Sequence, residues 1–194
     1  MILATQSAAR RAVLSGAGVP FETMAAGVDE DAAKMLLLAK GATPRAVAEA
    51  LAEEKALAVS RARGGLVIGA DQTLDLDGQL FDKAESLDQA RARLQLLRGQ
   101  THQLHSAVAA AEGGAVVWRE TVSARLTMRN FSDAFLDRYL ADEGAAALGS
   151  VGCYRLESLG AQLFSEIEGD YFTILGLPLF GLLELLRTRG EIAQ

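Results

Sequence analysis

Residues 66–86 read LVIGADQTLDLDGQLFDKAES. Five apolar or small residues run directly into Asp71, and this pattern predicts a buried strand that ends at the carboxylate. The following DLDG segment is typical of a hairpin turn, and QLFDKA would form the returning arm. Because the hairpin folds back on itself, we expect Lys83 to come close to Asp71.

Strand and helix patterns are interspersed on both sides of this hairpin. MILAT and FETMA favour strands, a second hairpin is expected around EGG at 112–114, and the tail from 161 favours two short strands before a closing helix. Four further helices are expected to begin after the caps Ser7, Thr43, Ser86 and Ser132. The mixture of hairpins and isolated strands predicts a mixed sheet in an α/β (mixed α+β) fold, as a single domain over 1–194.

Composition excludes several classes of function. The net charge of −6 disfavours a nucleic acid polymer as partner. One cysteine and two histidines cannot form an internal disulfide or a structural zinc site of the usual kind, so a cytoplasmic protein is expected. The apolar run MLLLA at 35–39 is too short to cross a bilayer.

Asp71 is the first candidate for chemistry, because a carboxylate at the end of a buried strand commonly faces a ligand crevice. A general base, a metal ligand and a simple turn cap all remain open for it. Glu30, within the acidic run 29–31, would bind Mg²⁺ together with Asp71, or would lie in a solvated turn.

Candidate cations are scattered along the chain. Ser7 and Arg10 share the first turn of the first helix, where a hydroxyl, a guanidinium and free N–H groups together favour an anion; a helix cap explains Ser7 but not Arg10. Lys55 borders an apolar helix face and would reach either solvent or a cleft. Lys83 is a candidate for a phosphate oxygen, or a surface lysine.

Two common types of site are disfavoured by pattern. His102 and His105 are three positions apart in an alternating strand, so they should point to opposite faces and share no metal. The sequence contains neither GxxxxGK[ST] nor a GxGxxG that follows a strand, which excludes the usual nucleotide-binding motifs.

Seven segments in order resemble the Maf family of nucleoside triphosphate pyrophosphatases. They are LATQSAARRAVL at 3–14, VDE at 28–30, EKA at 54–56, GADQ at 69–72, DKA at 82–84, LRGQTH at 97–102 and EGDYFTILGLPL at 168–179. The resemblance implies a fold like that of inosine triphosphatase, with two lobes around a central cleft and usually a homodimer. It also implies cleavage of a nucleoside triphosphate between the α and β phosphates, with a divalent cation, Mg²⁺ or Mn²⁺.

The resemblance assigns roles by position. It implies that Ser7, Arg10, Lys55 and Lys83 hold the phosphates, that Glu30 helps to bind metal and that Asp71 activates water. Two departures, Gln72 and Glu157, resemble the branch that acts on 7-methyl-GTP, and a glutamate can accept hydrogen bonds from a guanine edge. The replacement of GKP by DKA puts an extra acid, Asp82, beside the phosphate lysine.

Three alternatives remain at this point. One is an enzyme of the dTTP/UTP branch, and another removes inosine or xanthosine triphosphate. The third is a nucleotide-binding regulator of cell division without catalysis, against which the presence of Asp71, Lys55 and Lys83 argues.

Overall fold

A computed structural model describes residues 1–193 of this chain and builds them around a seven-stranded sheet. The strand order is β2-β1-β3-β5-β6-β7, and β4 pairs with β3 off this path. β1 is parallel to β2 and to β3, whereas the remaining pairs are antiparallel. The prediction of a mixed sheet in an α/β fold is therefore confirmed.

The elements have these bounds. The strands are β1 (Ile2–Ala4), β2 (Glu22–Met24), β3 (Val67–Leu76), β4 (Gln79–Phe81), β5 (Thr101–Glu112), β6 (Ala115–Met128) and β7 (Phe164–Glu168). The helices are α1 (Ala8–Gly16), α2 (Glu30–Ala39), α3 (Pro44–Ser60), α4 (Leu87–Leu97), α5 (Asp133–Glu143), α6 (Tyr171–Ile174) and α7 (Leu179–Thr188). Two short 3₁₀ segments cover Gly144–Gly149 and Leu159–Leu163. None of the helices within residues 1–193 combines the length and apolar character needed to cross a bilayer.

The four predicted helix caps are confirmed. In each case the side-chain oxygen accepts a hydrogen bond from the backbone N–H three residues later and so satisfies one free donor of the first turn. The capping residues are Ser7, Thr43, Ser86 and Ser132.

Two local predictions were wrong, and both missed a helix with an acidic cap. Residues 29–31 are not a turn: Asp29 caps α2 and accepts from the N–H of Ala32, while Glu30 and Asp31 occupy the first helical turn, where negative charge is stabilised. The second short strand predicted for the tail is α6, which Asp170 caps by accepting from the N–H of Thr173. The apolar residues that follow Asp170 suggested a strand, but a short apolar run does not separate a strand from a helix.

The prediction that β3 ends at Asp71 was also wrong. The strand runs on to Leu76, because its backbone pairs with β5 from Val67 to Asp75, with Asp71 opposite Ala107, and with β4 at its end. It is β1 that stops: its last residue, Ala4, pairs with Gly69. Asp71 thus lies just beyond the carboxyl end of a parallel neighbour, which is where a crevice opens in such sheets.

The hairpin after Asp71 is confirmed, and its turn is tight. Leu76 pairs with Gln79, and the two residues between them, Asp77 and Gly78, have φ values of 53° and 83°. This pair of positive angles is the one that matches the twist of a two-residue hairpin. The returning arm is shorter than predicted: β4 ends at Phe81, so Lys83 lies two residues past the strand and not within it.

Two large apolar clusters meet along β3. One contains Leu74 with buried residues of α4 and α5, and the other contains Ala70 with buried residues of α1 and α7. Asp71 lies between these two positions in the strand. Because adjacent strand residues alternate, its side chain points to the opposite face of the sheet, toward α3. The assignment of a single domain over 1–194 stays a prediction.

α3 packs very closely against the face of β3 that carries Asp71. A Cβ built on Gly69 would lie 2.2 Å from the carbonyl oxygen of Ala52 and 2.5 Å from the backbone nitrogen of Ala56. Only a glycine admits the helix this close. The close approach brings Lys55, which follows one turn after Ala52, over the strand.

Candidate active site

A buried ion pair joins α3 to β3. Nζ of Lys55 lies 2.7 Å from Oδ1 of Asp71, and each residue is 6% exposed. Buried charges persist in proteins when they are paired and hydrogen-bonded. The pair fixes the carboxylate on the face of the sheet that α3 covers.

Glu30 forms a second ion pair with the same lysine. Its Oε2 lies 2.8 Å from Nζ of Lys55, so one ammonium holds carboxylates from α2 and β3. The side chain of Glu30 is 44% exposed, which leaves that carboxylate open to solvent or ligand.

Arg10 reaches the site from α1. Its Nε donates to the backbone oxygen of Gly176 at 2.8 Å. Burial lowers the pKa of Arg10, and the charges of Asp71 and Glu30 oppose this shift. The guanidinium is therefore a positive group within electrostatic range of both carboxylates.

Lys83 stands at the rim of the site as an exposed residue. Partial desolvation of its ammonium lowers its pKa, the cations Arg10 and Lys55 lower it further, and Glu30 and Asp71 oppose the shift. These mutual effects place Lys83 in the same electrostatic neighbourhood as the four other charged groups. The structure thus brings together five of the residues singled out by sequence.

Ser7 is placed differently. Its Oγ accepts from the N–H of Arg10 at 3.4 Å, and its own N–H donates to Oγ1 of Thr5. The hydroxyl acts as a helix cap here, at the start of the helix that carries Arg10. Its assignment to substrate phosphate stays a prediction.

Gln72 points to the opposite face of the sheet from Asp71, because adjacent strand residues alternate. Its Nε2 donates to Oγ of Ser106 at 2.9 Å and to the backbone oxygens of Thr173 and Ile174 at 3.0 Å each. These bonds fasten α6 to the middle of the sheet. The role of Gln72 toward substrate stays a prediction, since its amide nitrogen is occupied by the protein.

Glu157 lines a pocket of about 390 Å³ between α1 and α6. The other lining residues are mostly apolar: Ala9, Ala12, Val13, Gly16, Ala17, Tyr171, Phe172, Leu175 and Leu179. Nε of Arg155 lies 3.1 Å from Oε1 of Glu157 and holds the carboxylate. The pocket adjoins the Arg10–Gly176 contact, because Ala9 and Leu175 are the chain neighbours of those two residues.

Two carboxylates at this site are of the kind that ligates a divalent cation. Within residues 1–193 no three His, Cys, Asp or Glu side chains form a ready-made metal cluster. Mg²⁺, however, is usually held by one or two carboxylates together with water and substrate phosphates. Glu30 and Asp71, both within 2.8 Å of the Lys55 ammonium, fit that donor set.

A family model described as Maf-like protein matches residues 1–189. The chain belongs to the Maf family.

Several relatives share most of their length with this Maf protein. One from Caulobacter vibrioides, named nucleoside triphosphate pyrophosphatase, is 64% identical and covers 98% of this chain and 96% of its own length. Another of that name, from Paramagnetospirillum magneticum, is 53% identical over 98% of this chain and 99% of its own. A third, from Rhizobium meliloti, is named 7-methyl-GTP pyrophosphatase and is 49% identical over 99% of this chain and 97% of its own.

Two features of the Maf site escaped the sequence analysis. The backbone oxygen of Gly176 accepts a hydrogen bond from Arg10. This contact could not be predicted, because every residue has a backbone oxygen and the identity of Gly176 does not indicate its partner. Nζ of Lys34 lies 2.6 Å from Oδ1 of Asp82, which links α2 to the segment that carries Lys83. The signal for the second was present, because Asp29 before an apolar run is a recognisable cap and would have placed Glu30 and Lys34 one helical turn apart.

Proposed function

We propose that this protein is a nucleoside triphosphate pyrophosphatase that hydrolyses the bond between the α and β phosphates and releases a nucleoside monophosphate and pyrophosphate. The bridge of Asp71, Lys55 and Glu30, with Arg10 and Lys83 beside it, carries the proposal. The names of relatives that cover nearly the whole chain support the same activity.

The proposed reaction uses one carboxylate and several cations. Asp71 accepts a proton from a water molecule, whose oxygen forms a bond to the α phosphorus while the bond from that phosphorus to the bridging oxygen breaks. Lys55 keeps the carboxylate in place, and Arg10 and Lys83 stabilise the negative charge on the phosphate oxygens. Pyrophosphate leaves with the bridging oxygen.

We assign Glu30 and Asp71 as the residues that hold Mg²⁺ or Mn²⁺. When bound, the cation would neutralise charge on the phosphate oxygens. The exposed fraction of Glu30 supports this assignment, because it leaves room beside the two carboxylates for the water molecules and substrate phosphates that complete the ligand set of Mg²⁺.

For the base, we propose the pocket beside Arg10. Tyr171 is 46% exposed at its edge and offers an aromatic face for stacking, and Glu157 offers a carboxylate that can accept from the N1–H and amine of a guanine. A negative carboxylate also favours the positive charge of a 7-methylated guanine. The proposed substrate is therefore 7-methyl-GTP, with Gln72 as the second residue that resembles this branch.

The test is a panel of nucleotides assayed with Mg²⁺ and with Mn²⁺, with products identified by phosphorus NMR. We expect monophosphate and pyrophosphate in equal amounts, with 7-methyl-GTP turned over faster than GTP, UTP, dTTP or CTP. Release of orthophosphate and a diphosphate would place the cut at a different bond and overturn the proposal. Binding without any cleavage would instead support the regulator of cell division.

The cytoplasmic location and the homodimer are further proposals. The single cysteine supports a reducing compartment, and the family resemblance supports the dimer. Light scattering coupled to gel filtration tests the second, since a molecular mass near 20.5 kDa would identify a monomer.

A further inference from the structure

The helix that carries Glu30 is held to the protein in an unusual way. All ten residues of α2 are described, and none of them is buried. Its partly buried positions are Glu30, Ala33, Lys34 and Leu37, which recur at helical spacing and form its inner face. Three of its four larger apolar side chains are exposed: Met35 is 68%, Leu36 is 57% and Leu38 is 42% exposed.

Two ion pairs anchor this inner face, one on each side of the site. At the first turn, Glu30 contacts Lys55 of α3 at 2.8 Å. One turn later, Nζ of Lys34 contacts Oδ1 of Asp82 at 2.6 Å, and it also lies 3.4 Å from Asp31 in its own helix. α2 therefore spans the distance between the Lys55 side and the Lys83 side.

The backbone of Asp82 is held by Arg93 of α4. Its backbone oxygen accepts from Nη1 of Arg93 at 2.8 Å, and the same nitrogen donates to the backbone oxygen of Val151 at 2.8 Å. The backbone beside Lys83 is thus tied to α4, while its side-chain carboxylate is tied to α2. A shift of α2 would reach Lys83 through the residue next to it.

We propose that the Lys34–Asp82 pair is a positioning device, which docks α2 so that Glu30 and Lys83 face the same polyphosphate. This inference rests on the proposed function. Lys34 and Asp82 themselves need not touch the substrate. Asp71 stays outside the device, because Lys55 holds it from α3.

The pair is suited to this task by its partial burial. The side chain of Lys34 is only 17% exposed, so its ammonium has lost much of its water and interacts more strongly than a fully solvated lysine would. Because α2 buries no side chain, little apolar packing is available to replace a lost pair. Removal of either charge should therefore loosen the helix without unfolding the sheet.

The experiment compares Lys34→Met with Lys40→Met. Both changes remove one positive charge, but Lys40 is an exposed residue at the far end of the helix. Hydrogen exchange of the α2 amides gives a readout that is independent of catalysis, and steady-state kinetics of pyrophosphate release give kcat and KM. Asp82→Asn and the double variant Lys34→Met/Asp82→Asn complete a double-mutant cycle.

We expect Lys34→Met to accelerate α2 exchange and to raise KM, each about fivefold, with kcat within about twofold, since a partly exposed ion pair contributes at most a modest energy. Lys40→Met should match the wild type. The double variant should have α2 exchange and a KM no higher than those of the more affected single variant. Lys34→Arg should restore the wild-type KM.

Three results would overturn the inference. They are α2 exchange in Lys34→Met equal to that in Lys40→Met, faster exchange with unchanged KM, and additive effects in the double variant. If the wild-type protein releases no pyrophosphate from any nucleotide, the proposed function fails. Hydrogen exchange of the α2 amides in the single and double variants then decides whether the pair docks α2.

Discussion

Lys55 on α3 donates to the carboxylate of Asp71 on β3 at 2.7 Å, across an interface where both residues are 6% exposed. The same ammonium contacts Glu30, so Lys55 does not become an unpaired buried charge when Asp71 is neutralised. This relationship makes Asp71 open to substitution without the large loss of stability that normally follows when one member of a buried pair is removed.

Asp71→Asn should therefore fold and yet fail as a catalyst. The amide oxygen can still accept from Lys55, but it cannot take a proton from water, and we expect kcat to fall about a thousandfold. Thermal melting and pyrophosphate release check the two halves of this prediction. Asp77→Asn is the matched control. It makes the same change at an exposed turn position with positive φ, which asparagine tolerates. A kcat for Asp71→Asn within threefold of the kcat for this control would contradict the assignment of Asp71 as the base.

Lys83 should limit activity on the alkaline side. Its pKa lies below that of an ordinary lysine, so it loses its charge, and its hold on phosphate, at a lower pH than a solvated lysine would. We expect kcat/KM to fall as pH rises through this lowered pKa, and Lys83→Arg to shift the fall to higher pH. Lys40→Arg should leave the profile unchanged, and superimposable profiles for Lys83→Arg and wild type would argue against the phosphate role.

Glu157 should control the choice of base. In Glu157→Gln the pocket loses its negative charge, and the amide presents a donor where a guanine edge also donates. We expect the ratio of kcat/KM for 7-methyl-GTP over UTP to fall about tenfold, as for one lost charge-assisted hydrogen bond. Glu166→Gln, at an exposed position of β7, should leave that ratio unchanged, and an unchanged ratio in Glu157→Gln would remove the pocket from base recognition.

His102 should make the fold sensitive to acid. Burial lowers its pKa to about 4, its Nδ1 has no hydrogen-bond partner among the described residues, and its Nε2 lies 2.7 Å from the hydroxyl of Tyr154. The unfolded chain takes up this proton near pH 6.5 and the folded chain only near 4. The stability present above pH 6.5 should therefore decrease by roughly 3 kcal/mol as pH falls through this window.

Urea unfolding of wild type and His102→Gln between pH 7 and pH 4 measures this effect. For each protein the free energy of unfolding is plotted against pH. The difference between the two plots gives the contribution of His102 and removes that of the carboxylates, which titrate in the same range. If the free energy of unfolding changed with pH equally in the two proteins, His102 would have the same pKa in the folded and unfolded chains, and the prediction would be wrong.

Gly69 should tolerate no side chain. A methyl group there would lie 2.2 Å from backbone atoms of α3, which cannot rotate away, so α3 would have to move off the sheet. We expect Gly69→Ala to lower the free energy of unfolding by about 1–3 kcal/mol. Gly64→Ala, where no heavy atom lies within 4 Å of the built Cβ, is the control, and equal melting temperatures for the two variants would refute the close packing.

Local chemistry made much of this architecture predictable. Four helix caps and two hairpins were read correctly, because a capping oxygen or a positive-φ turn acts over three or four residues. The opposite faces of His102 and His105 also follow from strand alternation: one contacts Tyr154 and the other contacts Ser123 and Asp75. The errors at 29–31 and at α6 arose where an acidic cap was taken for a turn or passed over.

The residue types of the site, four helix caps, two hairpins and the family resemblance could all be read from the sequence. The folded chain was needed to show that Asp71 lies in mid-strand beside the end of β1, that one lysine bridges two carboxylates, and that Lys34 ties α2 to the Lys83 segment. The reason is physical: caps and turns are set by neighbours in the chain, whereas the ion pairs of the site join residues 16 to 48 positions apart. They form only when the packing of α3 on the sheet brings distant charges within reach.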